Sequence, residues 1–181
     1  MITIVDEFLT NEECDFLIKF HSDNMDLAFP FSSHVGNSVA RATISPKHLE
    51  IDSLQIEDEK ESPNLDESDR LDYLSIIKKI ESKTQECYGS DIVHDWSKLK
   101  KSEIGGFSLP HYDESSQETI LAAIVYLNDN FRGGETYFGD GTIIPPKPGR
   151  ILMFDGLTYL HGATPNIGGY RYSIAMWFKK T

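Results

Sequence analysis

Tyr170-Arg171-Tyr172-Ser173-Ile174-Ala175-Met176-Trp177-Phe178 is an alternating run near the end of a chain of 181 residues. A period of two is that of a strand with two unlike faces. Arg171, Ser173 and Ala175 fall on one face, Tyr170, Tyr172 and Ile174 on the other. A guanidinium inside an apolar β core is costly unless it meets a carboxylate, which it grips through two parallel N–H bonds. The run reads as one wall of a β core whose interior is built to hold an anion.

Upstream, the same texture repeats. Strands are expected over 119–127, 135–138, 142–144 and 150–154, punctuated by Gly133-Gly134, Gly139-Asp140-Gly141, Pro145-Pro146, Pro148-Gly149 and Gly168-Gly169, all of it turn chemistry. Many short strands at regular spacing point to an antiparallel barrel or jelly roll. The first half differs. A strand over 2–5 leads to Thr10-Asn11-Glu12-Glu13, the spacing of a capping box, and the helix behind it offers Cys14, Leu17 and Ile18 on one face. A second helix over 69–88 places Leu71, Leu74, Ile77, Ile80, Thr84 and Cys87 at three- or four-residue intervals, with Gly89 as its stop. Strand signals return at 39–44. We expect one domain over 1–181 that is mainly β, with residues 1–90 as helical and loop support and 91–181 as most of the core.

Composition sets the outer limits. Seventeen Lys and Arg stand against 29 Asp and Glu, a net charge of −12, and 39% of residues are hydrophobic, enough apolar surface for an ordered core. The acidity excludes a partner held mainly through phosphates, which needs clustered cations, so neither nucleic acid nor a membrane surface is expected. No apolar run is long enough to span a bilayer, and the first residues carry no cationic leader, so a cytoplasmic protein is expected. Cys14 and Cys87, 73 residues apart, read as two reduced thiols. Residues 57–72 hold eight acids against Lys60 and Arg70, a solvated loop by charge alone. They adjoin 29–66, a long polar segment and candidate lid, and together suggest a preference for neutral or basic peptides.

The stretch that carries chemistry is Leu109-Pro110-His111-Tyr112-Asp113. On a strand, His111 and Asp113 point to one side and Tyr112 to the other. An imidazole and a carboxylate on one face supply two of the three ligands of a facial triad for non-haem Fe(II). The candidate third is His161, 48 residues beyond Asp113, at the end of a strand expected over 157–160; Arg171 follows ten residues later.

This order of His111-x-Asp113, His161 and Arg171 resembles the 2-oxoglutarate and Fe(II)-dependent dioxygenase superfamily. Within it the chain is similar to the prolyl 4-hydroxylase group. Tyr126-Leu127-Asn128 with Gly133-Gly134-Glu135-Thr136, the run Pro148-Gly149-Arg150-Ile151-Leu152-Met153-Phe154, Trp177, and the opening Val5-Asp6-Glu7-Phe8-Leu9 through Cys14 all resemble that group's pattern. The fold it implies is a double-stranded β-helix, the jelly-roll or cupin-like core, with N-terminal helices packed outside. The resemblance makes His111, Asp113 and His161 the iron ligands. It makes Arg171 the anchor for the distal carboxylate of 2-oxoglutarate, with the Tyr126 hydroxyl beside it and Ser173 and Thr136 near. It assigns no catalytic acid or base. It implies Fe(II), 2-oxoglutarate and O2, with ascorbate as reductant, and hydroxylation of a C–H bond with release of succinate and CO2. The substrate it implies is a prolyl residue in a peptide or protein; the same chemistry on a free amino acid or small metabolite, and a non-catalytic binding module, are the competing readings. Two departures stand out. The tyrosine often found shortly before the His-x-Asp is absent from Ser102-Glu103-Ile104-Gly105-Gly106. The anchor is Arg, as in the oxygen-sensing branch, where collagen-type enzymes usually carry Lys.

Among the remaining groups, His21, His34, His48 and His94 read as ordinary structural residues, and Trp96 and Trp177 as core. Arg41 resembles an arginine of the group's early strand near the substrate mouth. Oligomeric state is not readable from the chain.

Overall fold

The alternating run becomes the spine of the molecule. The computed structural model describes residues 1–30, 48–57, 64–113 and 119–181. The strand expected over 39–44 with Arg41, together with His34, lies outside them, as do most of the candidate lid and part of the acidic stretch.

In chain order the elements are β1 (Ile2–Val5), α1 (Asn11–Asp23), β2 (Phe29–Pro30), β3 (His48–Asp52), α2 (Ser53–Glu57), α3 (Glu67–Tyr88), β4 (Ile92–Ser102), β5 (Ser108–His111), β6 (Thr119–Tyr126), β7 (Arg132–Gly133), β8 (Thr136–Phe138), β9 (Ile143–Ile144), β10 (Ile151–Phe154), β11 (His161–Ala163), β12 (Asn166–Ile167) and β13 (Arg171–Lys180). A seven-stranded sheet runs β1-β10-β6-β13-β4-β3-β2. It faces a four-stranded sheet, β5-β11-β8-β9, while β12 and β7 form a short ribbon. The paired strands are antiparallel throughout. This is the expected jelly roll, and β1, β2 and β3 show that the first ninety residues contribute sheet as well as support.

Period-two alternation makes two cores from one sheet. Leu121, Val125, Ile151, Ile174, Met176 and Phe178 face the helices and pack with Leu17, Phe20, Tyr73, Ile77 and Ile80. Ala122, Tyr126, Leu152 and Phe154 face inward and pack with Phe138 and Ile144 of the smaller sheet. Arg171 and Ser173 share that inner face, so the spine puts a cation inside the roll, as the alternation predicts.

The helices begin where side chains accept their first amides. The Thr10 hydroxyl accepts from the Glu13 N–H at 3.2 Å and the Glu13 carboxylate accepts from the Thr10 N–H at 2.8 Å, closing the capping box. Helix α3 starts two residues earlier than periodicity suggests, because the Asp66 carboxylate accepts from the amides of Ser68 and Asp69. Its buried face is Tyr73, Ile76, Ile77, Ile80 and Thr84, whereas Leu71 is 57% exposed. Tyr73 stacks on Phe20 at 4.9 Å and takes the place expected of a leucine. Across the far edge, Asp6 is gripped by Arg150 and Lys147, which hold its carboxyl down at about 2 and tie β1 to the β9–β10 turn.

His21 is fully buried at the end of α1, its Nε2 3.1 Å from the Leu49 carbonyl, and His94 packs edge-on to Phe178. Burial holds both, and His161, below the ordinary imidazole value of 6.5. Below that value the unfolded chain binds protons that the folded chain refuses, so stability is present above it and falls as the pH drops. Chemical-denaturation midpoints of the metal-free protein should decline from about pH 7 to about pH 5. Paired carboxylates such as Asp6 lose their contribution only further down. A flat profile across that window would contradict the burial of these rings.

Candidate metal and cosubstrate site

The site lies between the two sheets. His111 ends β5 and Asp113 follows it just past the strand, its N–H donating to the Gly156 carbonyl at 3.0 Å. His161 opens β11 directly opposite His111 in the ladder. The expected strand over 157–160 is instead a turn, because the Asp155 carboxylate accepts from the amides of Leu157 and Thr158 and from the Thr158 hydroxyl.

Geometry converges on Asp113. The Nε2 atoms of His111 and His161 lie 3.7 Å from its Oδ1 and Oδ2, and the three groups offer ligand atoms within 4.8 Å of one another. The His111 Nδ1–H donates to the Leu109 carbonyl at 2.7 Å and the His161 Nδ1–H to the Tyr159 carbonyl at 2.9 Å. That pattern fixes both tautomers with an Nε2 lone pair facing inward, the arrangement metal-binding imidazoles use. Asp113 is buried, and its Oδ2 has no hydrogen-bond partner among the described residues. An ionised oxygen left so is costly, and a cation between these three groups would relieve it. Two nitrogens and one carboxylate oxygen with neighbouring space form a donor set that fits Fe(II). Tyr112 points away, 44% exposed, as the strand reading predicts.

The second pole is Arg171, 7% exposed. Its Nη1–H donates to Ser173 Oγ at 3.2 Å, its guanidinium sits 5.4 Å over the Tyr126 ring, and its Nε has no partner among the described residues. The Tyr126 hydroxyl lies 2.6 Å from Thr136 Oγ1. Burial pushes the Tyr126 phenol up and pulls the Arg171 guanidinium down from its ordinary value. A cavity of about 90 Å³ joins the poles: His111, Asp113 and His161 border it, as do Arg171, Ser173 and Thr136. Phe154, Ala122 and Trp177 supply apolar walls that limit water.

Trp177, expected in the core and near the site, packs against the inner cluster, borders the cavity and stacks on Trp96 at 3.8 Å with their planes 8° apart. Sequence reasoning missed other parts of this lining. Lys100, on the long strand β4, borders the same cavity. Two glycines make room. A Cβ on Gly134, whose φ is +68°, would stand 2.8 Å from Arg171 Cδ. One on Gly156 would stand 2.3 Å from Asp113 Oδ2. Gly156→Ala must therefore displace the carboxylate, and should cost more than about tenfold in Fe(II) affinity, as lost outer support of a metal ligand does. Metal titration of the folded variant checks it; wild-type affinity would contradict the placement.

A sequence model of the 2OG-Fe(II) oxygenase superfamily matches residues 97–179, the span that holds all four polar groups of the two poles and Tyr126. Comparison with curated proteins returns no match. Among solved structures, a Pseudomonas putida prolyl-4-hydroxylase is similar at 18% identity with a TM-score of 0.73, covering 99% of this chain and 92% of that one. A prolyl hydroxylase from Trichoplax adhaerens, in complex with a hypoxia inducible factor oxygen degradation domain peptide fragment, gives 18% and 0.75, with 99% and 83% covered. The viral collagen prolyl hydroxylase of Paramecium bursaria Chlorella virus-1, in its 2OG complex, gives 17% and 0.61, with 99% and 96% covered. Residues 97–179 thus match the 2-oxoglutarate and Fe(II)-dependent oxygenase superfamily and the chain has a prolyl 4-hydroxylase-like fold, which together support a 2-oxoglutarate-dependent dioxygenase. Among the described residues no helix is long and apolar enough to cross a membrane.

Proposed function

We propose that the protein hydroxylates a prolyl residue in a peptide or protein, releasing succinate and CO2, with His111, Asp113 and His161 holding the iron and Arg171 holding the distal carboxylate of 2-oxoglutarate. The observation that carries this reading is one cavity with a two-histidine, one-carboxylate set at one pole and a buried arginine at the other. Bound there, Fe(II) supplies the redox chemistry that couples O2 and 2-oxoglutarate to attack on a C–H bond. The chain's own part is binding and orientation. Leu109 and Tyr159 lock the imidazoles through their carbonyls. Ser173 orients the guanidinium, which grips a carboxylate through two N–H bonds. Tyr126 and Thr136 close the arginine's flank. Ascorbate serves as reductant, and the site of action is the cytoplasm.

The domain, in this reading, is one unit across 1–181. Incubation with Fe(II), 2-oxoglutarate, ascorbate and proline-containing peptides should add the mass of one oxygen atom to a prolyl residue. Turnover confined to free amino acids would move the substrate to the small-metabolite alternative. Absence of both binding and turnover of 2-oxoglutarate would leave a non-catalytic module.

A further inference from the structure

A second groove, of about 550 Å³, lies on the other side of the spine. Tyr170 and Tyr172 border it, and by alternation they point away from Arg171 and Ser173. It therefore opens on the helix side of the large sheet, and it shares no lining residue with the metal cavity. Its facing walls are the flank of α1 that carries Asp15 and Ile18, and the loop after β6 that carries Asp129. That loop is pinned. The Asn128 amide donates to the Tyr170 carbonyl at 2.8 Å and to Asn130 Oδ1 at 2.6 Å, and its own Oδ1 accepts the Tyr172 N–H at 2.8 Å. The Leu127 N–H donates to the Tyr172 carbonyl at 3.1 Å. Asp129 thus stands on a wall fixed to β13, and a fixed wall loses little freedom on binding.

What the groove presents is one-sided. Neither the Asp15 nor the Asp129 carboxylate has a hydrogen-bond or ion-pair partner among the described residues, and no described lysine, arginine or histidine lines the groove. Tyr172 is only 8% exposed, yet its hydroxyl also has no hydrogen-bond partner among the described residues. Unlike the Tyr73 hydroxyl it is not sealed from solvent, and the groove is the opening it borders. Lys101, opposite Tyr172 on β4, holds its ammonium 4.2 Å over the Tyr170 ring and stays out of the lining. Two free anions and a buried hydroxyl therefore face one space from three directions.

We propose that this groove docks an arginine-bearing segment of a partner protein, its guanidinium between Asp15 and Asp129 and within reach of the Tyr172 hydroxyl. Charge complementarity selects the partner: a chain of net charge −12 with a cation-free anionic groove attracts a basic segment and repels an acidic one. Arginine fits better than lysine because its planar fork offers five donors to acceptors on separate walls, while its stem lies on Ile18. The site does not depend on the hydroxylase reading, since neither pole of the metal cavity uses these groups.

The test is an amide-shift titration of the full nitrogen-15-labelled chain with the capped peptide acetyl-Ala-Arg-Ala-amide, whose guanidinium is its only charge. The matched probe replaces arginine by citrulline, which keeps the shape and loses the charge. The arginine peptide should shift the amides of Asp15, Asp129 and Tyr170 saturably and bind about fivefold or more tightly than the citrulline peptide. In the double variant Asp15→Asn, Asp129→Asn that ratio should fall to near one. Both side chains are exposed and unpartnered among the described residues, so the variant should fold, and its amide spectrum reports this directly. Should it not, Asp129→Asn alone is read by the same ratio. Tyr172→Phe keeps the packed ring and should weaken the arginine peptide about threefold, leaving the citrulline peptide unchanged. Equal binding of the two peptides, binding of neither, shifts confined to residues outside the groove, or a ratio that survives in the double variant overturns the proposal.

Discussion

Asp113→Ala should form succinate at less than about one hundredth of the wild-type rate, since loss of an outer partner to a metal ligand already costs 10–100-fold and the proposed function makes Asp113 a ligand itself. The fold should survive. Asp113 Oδ2 is buried without a hydrogen-bond partner among the described residues, so the metal-free variant is relieved of a poorly solvated charge and should melt no lower than the wild type. A ligand tolerated for function at the expense of the apo-protein behaves so; a structural carboxylate would do the opposite. His161→Ala should match the loss of turnover. Steady-state succinate assays with parallel thermal melts check both, and turnover retained in either variant would remove that residue from the ligand set.

Arg171→Gln should separate the two poles. Removing one partner of a desolvated charge pair typically costs about 2–5 kcal/mol, which corresponds to a rise in the Kd of 2-oxoglutarate of roughly 30-fold or more. Fe(II) affinity should stay within about threefold, because the proposed function puts Arg171 on the far carboxylate and its guanidinium bonds Ser173 rather than the triad. Isothermal titration of anaerobic protein gives both constants. Equal weakening of both would make Arg171 a general structural support; no change in either would place the anchor elsewhere.

The pattern of the spine was legible because it obeys the period of a strand while breaking the rule that strand interiors are apolar. Arg171 and Ser173 stood out against Ile174, Met176 and Phe178. The His111-x-Asp113 pair was legible for the same reason, although Asp113 sits beyond the strand's end and depends on Gly156 for its place. His161 was found, but its setting was misread: Leu157 to Leu160 look like a strand until Asp155 is seen to accept three donors from the turn. The inward lysines were invisible for a physical reason. Lys98 and Lys100 alternate with Leu99, which is also what a strand with one solvated face looks like. Only the pairing of β3 with β4, which brings in Glu50, shows that this polar face is interior. Helix α3 misled similarly, since Leu71 and Tyr73 both fit helical spacing and only packing against Phe20 selects the tyrosine.

The measurement that bears most directly on the site is an anaerobic titration of the metal-free protein with Fe(II) and 2-oxoglutarate, followed by visible absorption. A weak charge-transfer band should appear only when both are present, saturate at one equivalent of each, and be absent from Asp113→Ala. It should require far more 2-oxoglutarate in Arg171→Gln. No band in the wild type, or a band of equal strength in Asp113→Ala, would contradict a site built from His111, Asp113, His161 and Arg171.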